Sequence, residues 1–182
     1  MIFARWRARR ASRALIEQLR GEIVAASRRP ALYEALEAPD RIDGRFELLT
    51  LHVGLVLRRL VSIGGLGHEI AQDLVNTVFL HFDDTLREMA LSDVSVSKRL
   101  KVMKEAFYGR NTAYAAALDS GSRAELATAL ARNVYGAAGG APRAAELADY
   151  VAALDAALAG TPLEDFIMGR FRFPEGPITP GG

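Results

Sequence analysis

An all-α fold, a single-domain bundle of about six to seven helices, is expected from three features of the chain. Apolar residues recur at three- and four-residue spacing through most of its 182 residues. No sustained alternation of apolar and polar residues bounded by turn signals argues for a sheet. Breaks rich in glycine, proline and aspartate cut the chain into segments of helix length. A composition of 50% hydrophobic and 25% charged residues lies in the ordinary globular range and allows one sizeable core.

Taken in order, Leu15, Ile16, Leu19 and Ile23 predict a first helix from about Ser12 to Ser27, ending before Pro30. A short helical turn around Leu32 to Leu36 follows, then a loop at 38–44 in which Asp43 is placed to cap the next helix. That helix, about Gly44 to Ile63, carries Phe46, Leu49, Val53, Leu57 and Leu60 on one face and Leu48, Leu51 and Leu55 on the other. Apolar nearly all round, it is expected at the centre of the bundle; the alternative is that one stripe, flanked by Arg58 and Arg59, stays open for an apolar partner. After Gly64-Gly65-Leu66-Gly67 a helix over 68–89 carries Ile70, Leu74, Val78, Phe82 and Leu86. The next, capped by Asp93 or Ser95, runs to about Leu118 with Val96, Leu100, Met103, Phe107 and Tyr114 on one arc. Ser122 and Glu125 form a capping box for a helix to about Tyr135. A helix over 143–159 follows, and Thr161-Pro162 opens a last short one. The domain is expected over 12–173, between a basic arm at 1–11 and a disordered tail at 174–182, with disorder beginning about Phe173. Phe46, Leu49, Val53, Leu57, Leu74, Val78, Phe82, Leu100, Met103 and Phe107 are the expected core.

The net charge of +1 conceals an asymmetry. Residues 1–29 hold eight arginines and two glutamates, +6, whereas the remainder sums to −5. Such an arm suits an anionic surface (lipid headgroups, ribosomal RNA or an acidic partner), or is simply a solvated end. Zero cysteines exclude disulfides, thiolate metal sites and a cysteine nucleophile. The longest near-apolar run, Leu48 to Leu57, is far short of the roughly 20 residues a spanning helix needs. The opening segment lacks a secretory apolar region, and a bacterial cytoplasmic protein is favoured over one carrying an organellar leader.

Chemistry-bearing constellations are few. His52, His68 and His81 show no metal-ligand spacing, and His52 reads as a satisfied core histidine. His81, Asp83 and Asp84 do not all share a helical face. With no nucleophile elbow, no phosphate loop and no paired carboxylates in a recognisable context, no enzyme, metal or cofactor is expected. The informative stretch runs from Leu86 to Arg110. Gly109 inside a strong helical pattern costs about 1 kcal/mol against alanine and suggests close approach of another backbone or a binding surface. Arg110 is expected either to pair with Asp83, Asp84 or Glu88 or to bind a partner carboxylate. Lys98, Lys101, Lys104 and Tyr108 read either as a solvated face or as a strip of cations and an aromatic suited to a protein partner.

These residues resemble the ubiquinol-cytochrome c chaperone family. The resemblance is carried in order by Ser27-Arg28-Arg29-Pro30, Leu32-Tyr33, Ala38-Pro39-Asp40, Asp43-Gly44-Arg45-Phe46-Glu47, Leu51-His52 and Leu57-Arg58-Arg59-Leu60. It continues in Leu86-Arg87-Glu88-Met89, Asp93-Val94-Ser95-Val96, Lys98, Phe107-Tyr108-Gly109-Arg110 and Ala113-Tyr114, covering about residues 12–118. It implies a non-catalytic assembly chaperone that binds newly made cytochrome b and feeds it into ubiquinol-cytochrome c reductase. In the family's mitochondrial members this happens with a small partner subunit near the ribosomal tunnel exit. The expected location is cytoplasmic in a bacterium, with peripheral inner-membrane contact, or the matrix in a mitochondrion. The expected client-binding residues are Arg58, Arg59, Lys98, Lys101, Lys104, Tyr108 and Arg110. The alternative function is a ribosome- or RNA-binding adaptor acting through the basic arm, without sequence-specific nucleic-acid recognition.

Overall fold

The computed structural model describes residues 2–89, 92–136, 141 and 143–176, with side chains from residue 12 onward. Eight helical segments follow one another: α1 (Ile2–Ser27), α2 (Pro30–Glu34), α3 (Ile42–Ile63), α4 (Leu66–Glu88), α5 (Asp93–Asp119), α6 (Arg123–Asn133), α7 (Ala144–Ala159) and α8 (Leu163–Ile167). No strand is present among the described residues. The all-α expectation holds, element by element.

α3 is the hub because its sequence leaves no polar face to give to solvent. Leu48, Leu51, Val53, Leu55, Val56 and Leu60 are all buried, and the helix packs against α1, α4, α5 and α7 together. α6 sits outside, bridging α5 and α7. One apolar cluster runs through the whole molecule. Of the expected core, Val53, Leu74, Val78 and Phe107 are buried and Leu49, Leu57, Phe82, Leu100 and Met103 pack against it from its edge, whereas Phe46 is half-buried beside Phe82 and lies outside it. The second face of α3 is therefore more buried than the one the periodicity favoured.

The helix boundaries follow local chemistry. The α3–α4 turn places Gly64 at φ 73°, a conformation costly for a residue with a Cβ. α5 is capped by Ser92, whose side chain accepts from the Ser95 N–H, rather than by Asp93 or Ser95. Ser122 caps α6 by accepting from Glu125 N–H, while the Glu125 carboxylate takes the Ser120 hydroxyl at 3.2 Å instead of closing a capping box. Asp43 lies within the first turn of α3, where it complements the helix dipole without capping. α8 begins one residue later than expected, with Pro162 at its N-cap. α1 starts at Ile2, so helical backbone runs through the stretch expected as an arm.

The C-terminal segment corrects a second expectation. Disorder was expected from Phe173, but Phe166, Phe171 and Phe173 are all buried. Phe166 and Phe171 stack at 4.8 Å, and Phe173 lies 5.2 Å from the ring of His52. Arg29 donates to the carbonyls of Phe173 and Pro174 at 3.2 and 2.9 Å, and Gln18 donates to that of Gly169 at 2.7 Å. Three aromatics within eight residues carry enough apolar surface to hold an irregular segment down. The remainder of the expected tail, 177–182, lies outside the described residues.

Candidate docking surface

α3 and α5 run side by side in the same direction and meet most closely at Gly54. A Cβ there would sit 1.8 Å from the Asn111 Oδ1, so the seam tolerates only glycine with Asn111 where it is. Past this contact the helices part around small residues and leave an open groove of about 620 Å³. Gly54, Leu57 and Val61 of α3 face Tyr108, Thr112 and Ala115 of α5 across it. Val61 and Tyr108 remain 50% and 54% exposed. Asn111 lies in the floor with its Nδ2 buried and unpaired.

The arginines expected as margins are committed within the chain. Arg58 donates from Nη2 to Asp119 at 2.7 Å and from Nε to Asp155 at 2.9 Å, tying α3 to α5 and α7 across the closed end of the groove. Two carboxylates offset its charge, and the Arg58 guanidinium holds the Asp119 carboxyl below its ordinary range. Arg59 donates from Nε and Nη2 to the Thr161 carbonyl at 2.8 and 2.7 Å. The groove is thus apolar with an electrically balanced end, not an anion site.

Arg110 also turns inward, but to Glu47 of α3 rather than to the expected Asp83, Asp84 or Glu88. Its guanidinium lies 5.9 Å from the Phe46 ring. Glu47 is only 7% exposed, and burial, the largest influence, holds its carboxyl above the ordinary range although the Arg110 hydrogen bond opposes it. Asp83 is taken by Arg87, which also holds Asp93. The sequence held the reason: Arg110 stands nine residues from Lys101, about 180° around a helix, so the two cannot share a face.

Lys98, Lys101, Lys104 and Tyr108 do reach solvent. Lys101 lies 4.0 Å from Glu105, and Lys104 sits 5.3 Å above the ring of Phe79. At about 100° per residue, Lys101, Lys104, Tyr108, Asn111, Thr112 and Ala115 span roughly one 100° face of α5. The cationic strip and the groove are consecutive parts of that face. The groove residues were missed, although small and polar residues at three, four and seven positions beyond Tyr108 continue its stripe. Gly109 points away from the groove, and no atom lies within 4 Å of where its Cβ would be, so the expected close backbone approach is not made within the chain.

Elsewhere, His52 and His81 are structural and His68 is exposed. His52 is fully buried; its Nδ1 donates to the Leu48 carbonyl at 2.7 Å and its Nε2 accepts from the Tyr150 hydroxyl at 2.9 Å. His81 bonds Glu17 of α1 at 2.9 Å. No group of three or more potential metal ligands occurs among the described residues.

The profile of the ubiquinol-cytochrome C chaperone family matches residues 34–173. The chain belongs to that family. The match extends past the stretch that carried the resemblance and takes in α6, α7, α8 and the buried phenylalanines. The crystal structure of the Cbp3 homolog from Brucella abortus is similar at 33% identity and a TM-score of 0.85, over 96% of this chain and 97% of that one. No curated protein is similar at a significant level. Membership in a chaperone family points to a non-catalytic protein. Among the described residues no helix is long and apolar enough to cross a membrane.

Proposed function

We propose that this chain is a non-catalytic assembly chaperone that captures newly made cytochrome b and assists its entry into ubiquinol-cytochrome c reductase. The observation that carries this reading is the family profile across 34–173. The surface supports it. A client with apolar spanning helices and charged connecting loops needs an apolar site with a basic margin, and the groove with Lys98, Lys101, Lys104 and Tyr108 offers both. Arg58, Arg59 and Arg110 act from behind, by fixing α3 against α5, α7 and the turn before α8. On this reading the chain works in the bacterial cytoplasm at the inner-membrane surface, near the ribosome exit and with a small partner subunit. Crosslinking during synthesis of cytochrome b tests the proposal: adducts between this chain and the nascent client support it, and adducts only with unrelated proteins contradict it.

A further inference from the structure

The α3–α5 groove is open to solvent along its length, and its chemistry restricts what can lie in it. Its end is closed by ion pairs already formed, Arg58 with Asp119 and Asp155. The other polar groups along it are few: the hydroxyls of Tyr108 and Thr112, Asn111 with its Nδ2 buried in the floor, Arg59 already bonded to the Thr161 carbonyl, and the Ser62 hydroxyl, which donates to the Arg59 carbonyl. An extended segment laid there would leave most of its backbone N–H and C=O groups facing apolar walls unpaired, a costly arrangement. A helix satisfies its own backbone and presents only side chains. Beyond the groove the same face of α5 carries Lys101 and Lys104, with Lys98 one turn further, against a single carboxylate, Glu105. This cationic end stands out on a chain whose charge after residue 29 sums to −5. Lys101 and Lys104 lie 14 and 11 residues before Ala115, about 17–21 Å along the helix axis.

We propose that the α3–α5 groove takes a helix of a partner protein, apolar over the two turns that fill it and acidic some three to four turns away, where it meets Lys101 and Lys104. The inference rests on the reading of this chain as a protein-binding chaperone and adds the form and charge pattern of what it binds. Apolar contact in the groove supplies the area, and the lysines set the direction in which the helix lies.

The test uses the full chain and a fluorescein-labelled helical peptide of about 24 residues, ~36 Å long. One half carries leucines at i, i+3, i+4 and i+7; two glutamates stand 11–14 residues from their centre. A second peptide has lysines in place of those glutamates. The acidic peptide is expected to bind saturably and roughly tenfold more tightly than the basic one at low salt, with the difference shrinking as salt rises. Thr112→Trp and Ala115→Trp, which fill the groove, should each weaken it roughly tenfold; Thr112 is exposed, so that variant folds even if the other does not. Lys101→Glu with Lys104→Glu should reverse the peptide preference. Equal binding of the two peptides, no saturable binding, or indifference to Thr112→Trp would overturn the proposal. Its failure is separable from that of the cytochrome b reading: crosslinks to nascent cytochrome b that persist in Thr112→Trp leave the client in place and remove the groove, whereas peptide binding without those crosslinks does the reverse.

Discussion

Two buried polar residues carry separate predictions. Burial holds His52 neutral, with its pKa pushed down to about 4 from an ordinary 6.5. The unfolded chain therefore binds a proton that the folded chain refuses. His52 contributes fully above about pH 6.5, and that contribution is lost as pH falls toward 4, by up to roughly 1.4 kcal/mol per pH unit. Urea midpoints measured from pH 7 to 4 should fall more steeply for the wild type than for His52→Gln, whose slope retains only the carboxylates. Arg110→Ala strands Glu47 in the interior and should cost about 2–3 kcal/mol, discounted from a fully buried pair because Arg110 is 25% exposed. Adding Glu47→Gln should recover much of that loss. An Arg110→Ala protein as stable as the wild type in urea would instead mark Arg110 as a surface contact.

At the level of elements, the helices were readable because a 3.6-residue period and glycine breaks act locally, whereas the direction of a side chain on a crowded helix depends on its neighbours. α5 shows both. Its extent and apolar arc follow from spacing, yet the inward turn of Arg110 needs Glu47, 63 residues away. The burial of Phe173 was illegible for a similar reason: proline and glycine nearby signal an irregular backbone, and only the folded chain brings the His52 ring of α3 and the Arg29 guanidinium against it. Phe173→Ala should cost about 3 kcal/mol, read as a lower urea midpoint, a result incompatible with a disordered tail. Gly109 faces open space inside a helix, so Gly109→Ala should raise stability by about 1 kcal/mol, seen as a higher melting temperature. A lower melting temperature would mean that something in the chain closes on that position.

Across the whole molecule, an apolar hub helix packs against four other helices, and part-buried arginines lock the assembly together: Arg110 to Glu47, Arg58 across α3, α5 and α7, and Arg29 onto the irregular C-terminal segment. Rigidity concentrated there leaves one face of α5 and the adjoining groove open to solvent. The family was legible from motifs in α1 to α5 because those residues build that scaffold; the groove was not, because it exists only where α3 and α5 diverge beyond Gly54. The central claim, that this free face captures cytochrome b, is tested most directly by Lys101→Glu combined with Lys104→Glu. Both side chains are exposed, so the protein should fold with stability changed by no more than about 0.5 kcal/mol per site. Crosslinking to nascent cytochrome b and the level of assembled reductase should both fall; a folded double variant that crosslinks and supports assembly at the wild-type level would contradict the account.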